Sequence, residues 1–194
     1  MATVGLSKPY YATYTNSGST VTYGTPAVLG KAVELSVELE GGDSNVLYAD
    51  NAPAESVSTF AGGTLTITTD DLLLEPAAAI LGMTVSDVTT PEGDEIVFKA
   101  DQTVPYVGFG AVVKKIQSNA SKWLAVVFPK VQFQNPGLSA TTQGETIEWQ
   151  TPELTANIMR DDTVDAVWQR WAMFDTEADA ESYIKSKLGV TAGG

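Results

Sequence analysis

The chain has 194 residues with 24 acidic and 11 basic side chains, which gives a net charge of -13. It contains neither Cys nor His, which excludes disulfides, thiol nucleophiles, Cys/His zinc sites and Ser-His-Asp triads. The acidic surplus disfavours tight binding to nucleic acid. The sequence has no long apolar run and no secretory signal pattern, so we expect one compact domain over 1–194 that is made in the cytoplasm.

Strand signals dominate the first 40 residues. The stretches YYATYT (10–15) and STVTY (19–23) are separated by turn residues and predict a hairpin. KAVELSVELE (31–40) alternates apolar and polar residues with a period of two, as a strand does and a helix does not. This pattern predicts a core face and a face turned to solvent or to a shared lumen. The core face comprises Val33, Leu35, Val37 and Leu39, and the opposite face carries Glu34, Glu38 and Glu40.

A long connection follows before GGTLTITTD (62–70), which alternates in the same way. The connection spans 41–63 and is bracketed by glycine pairs, whereas connections inside compact domains are usually about 4 to 6 residues long. It carries Leu47, Tyr48 and Phe60, which a disordered linker seldom needs. We therefore predict an ordered, protruding loop with a function.

The segment DDLLLEPAAAILG (70–82) predicts a helix within the β-rich chain. Asp70 or Asp71 is expected to cap its N-terminus, and Gly82 is expected to end it. Pro76 predicts a break or a second helical start.

The rest of the chain returns to strand patterns and ends in a helix. TEADAESYIKSKLG (176–189) predicts an amphipathic helix with Thr176 as its N-cap and Gly189 as its C-cap. Many short strands with one inserted and one terminal helix indicate a mainly β fold, an antiparallel β-sandwich or open barrel. The predicted strands are EIVFKA (95–100), YVGFGAVVKKIQS (106–118), WLAVVFPKVQFQ (123–134), ETIEWQ (145–150), LTANIMR (154–160) and AVWQRWAMF (166–174).

The candidate chemical motifs favour structural roles. GFG (108–110) lacks the third glycine of a nucleotide loop, so close packing or a bulge is expected. DDTVD (161–165) lacks the glycine and terminal Glu of a calcium loop and predicts a turn. The tryptophans Trp149, Trp168 and Trp171 are a candidate sugar-stacking platform, although buried aromatics at strand spacing are commoner. We expect no enzyme activity, no metal and no cofactor.

Several stretches in order along the chain resemble one family. The chain is similar to the phi13-type major tail proteins, the tail tube subunits of long non-contractile-tailed bacteriophages. The resemblance covers nearly the whole chain, and no single stretch is a catalytic signature. It is carried by VGLSKPYYATY (4–14), KAVELSVELE (31–40), LYADNAPAES (47–56), TLTITTDDLLLEPAAAILG (64–82), VPYVGFG (104–110) and the run from Phe128 to Ile158.

The resemblance implies a structural virion protein in the phage tail. Such subunits form rings, expected here to be hexameric, which stack into a tube through which DNA is ejected without specific binding. The segment 41–63 would reach a neighbouring subunit or ring, and residues 1–16 would form an N-terminal arm or first strand. Tyr48 would anchor that contact, with Leu47, Asp50, Asn51 and Phe60 around it. The partners implied are other copies of the chain and the tape-measure, tail terminator and distal tail proteins.

Two alternatives remain open on the sequence. The second hypothesis is a monomeric carbohydrate-binding β-sandwich, because tryptophans can stack on sugar rings. A carboxylate-based hydrolase is a distant third, because nothing in the sequence positions an acid, a base and a substrate.

Overall fold

The chain folds into a mainly β structure with two helices, as a computed structural model shows. The structure describes residues 2–41, 45–49, 52–57, 60–117, 120–137 and 151–189, with the backbone alone for 45–49, 52–57 and 117. Its principal sheet is antiparallel throughout. The expected mainly β class with antiparallel sheets and two helices is confirmed.

The strands of this sheet differ greatly in length. The long strands β1 (Ala2–Ser17), β10 (Val107–Gln117) and β11 (Ala120–Phe133) form its middle, and β10 pairs with both of the others over most of its length. The other strands are β2 (Thr20–Tyr23), β3 (Ala27–Val28), β4 (Ala32–Gly41), β7 (Phe60–Thr69), β12 (Glu153–Met159) and β13 (Arg170–Phe174). The order across the sheet is β2-β1-β10-β11-β12-β7-β4, with β3 beside β1 and β13 beside β11.

Two further hairpins extend from this sheet. One is formed by β5 (Asn45–Ala49) and β6 (Ala52–Val57) and the other by β8 (Val85–Thr89) and β9 (Glu92–Ile96). The described part of the ordered loop predicted over 41–63 is this β5–β6 hairpin, and β7 already begins at Phe60. The strand predicted over 95–100 ends at Ile96, and the one predicted over 166–174 begins only at Arg170. The strand predicted over 145–150 lies outside the described residues.

The first helix, α1 (Leu74–Leu81), is shorter than predicted at its N-terminus. Its N-cap is Leu73 rather than Asp70 or Asp71, and no side chain caps it. Pro76 lies in the first turn, where a missing backbone N–H costs nothing, so the helix starts just before the proline instead of breaking at it. Gly82 ends the helix in the left-handed conformation, at a φ of 70°, as predicted.

The second helix, α2 (Glu177–Gly189), packs across β1, β10 and β11. Thr176 caps it as predicted, because its Oγ1 accepts a hydrogen bond of 3.1 Å from the Asp179 backbone N–H. Buried Ala180, Ile184 and Leu188 face the sheet.

The GFG stretch explains how closely α2 approaches the sheet. A Cβ added at Gly110 would lie 2.6 Å from Ile184 Cγ2, and one at Gly108 would lie 2.6 Å from Leu188 Cδ2. The prediction that these glycines serve close packing is confirmed. They let the helix cover one face of the sheet, while the larger core occupies the other face, around Phe109, Phe128 and Phe133.

Candidate assembly surface

The strand β4 lies at the edge of the sheet and carries an apolar row that starts in the core. The register aligns Leu154 of β12 with Ile67 of β7 and then with Leu35 of β4. Leu154 and Ile67 are fully buried, whereas Leu35 is only partly buried. The next row ends at Val37, which is 36% exposed, and the one after it ends at Leu39, which is 53% exposed. The core face thus continues onto an edge strand that the described residues leave uncovered.

This exposure corrects one sequence prediction. Val33, Val37 and Leu39 were expected in the core from their alternation, but all three are exposed. The alternation correctly gives the face on which these residues lie, since Leu35 and Val37 pair with Ile67 and Leu65. Burial depends in addition on what covers the face, and within the described ranges no strand pairs with the outer side of β4.

An apolar groove of about 580 Å³ runs beside this strand, and we call it the β4 groove. One wall is β4, and the other is built from the start of β1 with parts of β10, β11 and β13. Val4 and Trp171 on that second wall are 57% and 64% exposed. Lys115 also lines the groove, with its Nζ 5.6 Å from the centre of the Trp171 ring. The groove therefore combines exposed apolar surface with one cation and one carboxylate, that of Glu34 on β4.

Sequence reasoning missed the residues of this second wall. Val4 and Leu6 were part of a predicted N-terminal arm or first strand, and residues 2–17 form one strand that pairs with β10 over much of its length. Trp171 was considered only as part of a sugar platform. The start of β1 and the segment around Trp171 are both rich in apolar residues, which could have indicated an apolar surface. Their proximity could not be predicted, because it depends on the curvature of the sheet.

The three candidate lumen acids lie together on β4. Glu34, Glu38 and Glu40 are all exposed. The register places Glu34 beside Thr68 and Glu38 beside Thr64, on strands whose polar residues alternate with the buried apolar row. Their grouping on one strand agrees with the predicted polar face. Whether this face lines a lumen stays a prediction.

The predicted assembly segment begins at the end of the edge strand β4 and ends in its neighbour β7. Leu47 and Tyr48 lie in β5, within the hairpin that joins β4 to β7. Asp50 and Asn51 lie outside the described residues. The hairpin thus follows β4 along the chain, and its two strands pair with each other as a separate two-stranded sheet.

Phe60 marks the return of the chain from this hairpin into β7. Its ring is stacked on Trp168, with centroids 4.4 Å apart and planes inclined by 4°. Phe60 is partly buried and packs against the larger core, so its side chain stabilises this chain rather than offering an exposed contact to another copy. The stacking joins the base of the hairpin to the segment before β13.

A hydrogen-bonded cluster fixes α2 to β1 on the other side of the molecule. Glu181 Oε1 accepts hydrogen bonds from the Tyr10 hydroxyl at 2.5 Å and from Lys185 Nζ at 2.7 Å. Its other oxygen lies 3.3 Å from Lys8 Nζ. These interactions lower the pKa of Glu181 to about 2, and the hydrogen bond from Lys185 makes the largest contribution. Ser7 makes a similar bond to Glu177 at 2.6 Å.

A second cluster of hydrogen-bonded side chains stabilises the turn that follows β12. Lys130 Nζ lies 2.7 Å from Asp162 Oδ2 and 4.5 Å from the centre of the Tyr106 ring. The Tyr14 hydroxyl donates to the same carboxylate oxygen at 2.7 Å. The lysine and the tyrosine hydroxyl together lower the pKa of Asp162. Burial is the main cause of a raised pKa at Tyr14, and the neighbouring Asp162 carboxylate raises that pKa further.

The DDTVD stretch is a structural turn, as predicted. Asp161 Oδ1 accepts hydrogen bonds from the backbone N–H groups of Thr163 and Val167, at 3.3 and 2.8 Å. Across the described part of the chain, no group of three or more acidic residues is arranged to hold a metal ion.

The tryptophans do not assemble into one flat platform in the part that the structure describes. Trp168 has one ring face against Phe60, while Trp171 lies exposed beside Lys115. Trp149 lies outside the described residues. Binding of a carbohydrate stays an untested alternative.

Comparisons with known proteins leave the family open. No protein-family model and no curated protein matches the chain. Neither described helix is long and apolar enough to cross a membrane.

Proposed function

We propose that this protein is a structural virion protein, the major tail tube subunit of a bacteriophage, which self-assembles into stacked rings. The observation that carries the proposal is the uncovered apolar row on the edge strand β4. A long edge strand with exposed apolar side chains readily pairs with another chain, and soluble monomers usually protect such edges. A subunit whose edge is covered by the next copy has no need of that protection.

The exposed apolar side chains near β4 favour burial against another chain. Val33 and Leu39 are each more than half exposed, and the β4 groove adds Val4 and Trp171. Burying apolar surface contributes roughly 25 cal/mol per Å², so covering several such side chains offsets part of the entropic cost of association. A strand placed against β4 would also use its unpaired backbone groups, and repetition around a ring would close the sheets into one barrel.

The charge distribution is compatible with a conduit for DNA. Glu34, Glu38 and Glu40 lie on the strand that would form the ring contact, and the whole chain carries a charge of -13. Carboxylates along an inner wall would repel phosphates and let DNA pass without adhering. The resemblance to phi13-type tail proteins extends this proposal to sixfold rings and to the tape-measure, terminator and distal tail proteins as partners. It also places the assembled protein in the virion tail and assigns it no enzyme activity.

Sedimentation velocity over a concentration series tests the proposal. A tube subunit is expected to sediment as increasingly large species as its concentration rises. A glycan panel added to the same samples provides the comparison with a carbohydrate-binding module, whose thermal stability would rise with its ligand while it stayed monomeric. A monomer at all concentrations that is stabilised by a glycan would overturn the proposal.

A further inference from the structure

We infer that copies of this chain exchange the first part of β1: residues 2–7 leave their own β10 and pair in the same register with β10 of the next copy. We call residues 2–7 the exchange segment. The inference rests on the proposed self-assembly and names the element that links one subunit to another. Each copy gives its segment to one neighbour and receives a segment from the other, so the exchange can close around a ring.

The two parts of β1 are held to different degrees. From Pro9 onward the strand has neighbours on both sides, because β10 pairs with one edge while β3 and β2 pair with the other. Within the described residues, β10 alone pairs with the exchange segment. Residues 9–12 are all buried, whereas Val4 is 57% exposed and Leu6 is only partly buried. The exchange segment is therefore the more weakly held part of the strand.

A strained residue separates these two parts. Lys8 has a φ of 56°, in the left-handed region that residues other than glycine seldom adopt. It also precedes Pro9, and the residue before a proline prefers an extended backbone. The register with β10 shifts at the same place, between Ser7 and Tyr10. When the segment leaves, Lys8 can become extended, so strain at this hinge favours the exchanged state.

The contacts of the segment with α2 can be rebuilt between copies. Ser7 Oγ donates to Glu177 Oε1 at 2.6 Å, and Lys8 Nζ lies 3.3 Å from Glu181 Oε2. Both carboxylates belong to α2, which packs on β10 and stays in place when the segment leaves. An incoming Ser7 from the neighbour therefore meets Glu177 of the receiving copy, and the exchange preserves this hydrogen bond.

The register, rather than charge, defines what replaces the segment. Gly5 pairs with Lys114 and Leu6 pairs with Val113, and the same segment of another copy reproduces both pairs. Residues 3–6 also form part of one wall of the β4 groove. In the exchanged ring the neighbour supplies that part of the wall, so the groove beside the edge strand β4 lies at the contact between subunits.

Disulfide trapping distinguishes exchange from pairing within one copy, because the chain has no cysteine of its own. A Cβ at Gly5 would lie 3.7 Å from the Cβ of Lys114, a separation that suits a disulfide. The Gly5→Cys/Lys114→Cys variant is purified reduced, assembled, oxidised mildly and run on a denaturing gel without reductant. We expect covalent multimers, because the bond then joins two copies. Assembled protein that runs only as a monomer with an internal disulfide would overturn the inference.

The matched control is Ile116→Cys/Ser121→Cys, whose positions face each other across the β10–β11 hairpin. Its disulfide forms within one copy in both states, so the control is expected to run as a monomer and measures chance cross-linking. The Leu6→Cys/Val113→Cys variant uses the next pair of the exchanged register and should give multimers as well. Equal yields of multimer from the control and from both exchange pairs would overturn the inference.

Substitutions at the hinge give an independent readout. Lys8→Gly removes the strain, since glycine adopts a positive φ freely, whereas Lys8→Ala keeps it, and both lose the contact with Glu181. Each is combined with the Gly5→Cys/Lys114→Cys pair, at a concentration where half of the Lys8→Ala protein is cross-linked. The ratio of multimer to monomer should be at least about fivefold lower for Lys8→Gly. Equal ratios would contradict exchange through this hinge.

Sedimentation of the wild-type chain separates this inference from the proposed function. If the wild-type chain associates while both exchange pairs link only within one copy, the exchange fails and the proposed function stands. If the wild-type chain never associates, both fail.

Discussion

The ring of Trp168 lies flat on the ring of Phe60, with 4.4 Å between their centroids, at the point where the β5–β6 hairpin returns to the sheet. This pair connects the predicted assembly segment to the turn before β13. It therefore holds the start of β7, although the sequence suggested that Phe60 belonged to a protruding loop.

The stacked pair should be measurable as an energetic coupling. Phe60→Ala and Trp168→Ala are each expected to lower the free energy of unfolding, because both side chains pack at the edge of the core. A double-mutant cycle in urea should give a coupling of about 0.5–1.5 kcal/mol. Strict additivity of the two effects would show that the stacking contributes nothing beyond burial.

The exposed row on β4 predicts a variant that folds but does not assemble. Leu39→Lys should leave the free energy of unfolding within about 0.5 kcal/mol of the wild-type value, since Leu39 is 53% exposed. It should abolish the large species in sedimentation, because a charge would be buried at the contact. Val164→Lys, which changes a side chain that is 90% exposed away from β4, is the control and should assemble normally. Normal assembly of Leu39→Lys would remove β4 from the interface.

The glycines beneath α2 predict a local packing defect. Gly110→Ala should lower the free energy of unfolding by about 1–3 kcal/mol, because its Cβ would lie 2.6 Å from Ile184 Cγ2 and 3.3 Å from the Val126 carbonyl oxygen. Gly93→Ala is the matched control, since a Cβ there meets nothing within 4 Å. Urea denaturation of the two variants provides the measurement. Equal stability would mean that α2 does not need this close approach.

The Glu181 cluster predicts a specific dependence of stability on pH. The folded pKa of Glu181 is lowered to about 2, so its contribution is fully present above the unfolded pKa of about 4.3 and is lost as the pH falls towards 2. Glu181→Gln should therefore lower the free energy of unfolding at pH 7 by roughly 1 kcal/mol after solvent screening. The difference from wild type should shrink between pH 5 and pH 2.

The control for this prediction is Glu92→Gln in the β8–β9 hairpin, because Glu92 is an exposed carboxylate at the start of β9. A constant difference between Glu181→Gln and wild type over the whole pH range would contradict the role assigned to the carboxylate.

The sequence predicted elements well where local patterns decide them. Thr176 caps α2 and Gly82 ends α1, because both roles depend on groups within a few residues. The strands β4, β10, β11 and β12 follow from alternating or β-rich runs. The tight glycines of GFG were correctly assigned to packing, although their partner α2 lies about 75 residues away and could not be foreseen from spacing.

The candidate surface was harder to predict because it depends on tertiary neighbours. The alternation in β4 cannot reveal that the strand is an edge, so Val33 and Leu39 were expected in the core. The β8–β9 hairpin escaped prediction because its acids, with Asp87 opposite Asp94, oppose the usual strand preferences. The β4 groove unites residues from five strands, and only the curvature of the sheet brings Val4 close to Val33.

Electron microscopy of the negatively stained protein over a concentration series tests the central claim most directly. The account predicts rings or hollow tubes with a central channel in the wild-type preparation, and isolated particles for Leu39→Lys under the same conditions. Uniform small particles of the wild-type chain at every concentration would contradict self-assembly through β4 and the function proposed on it.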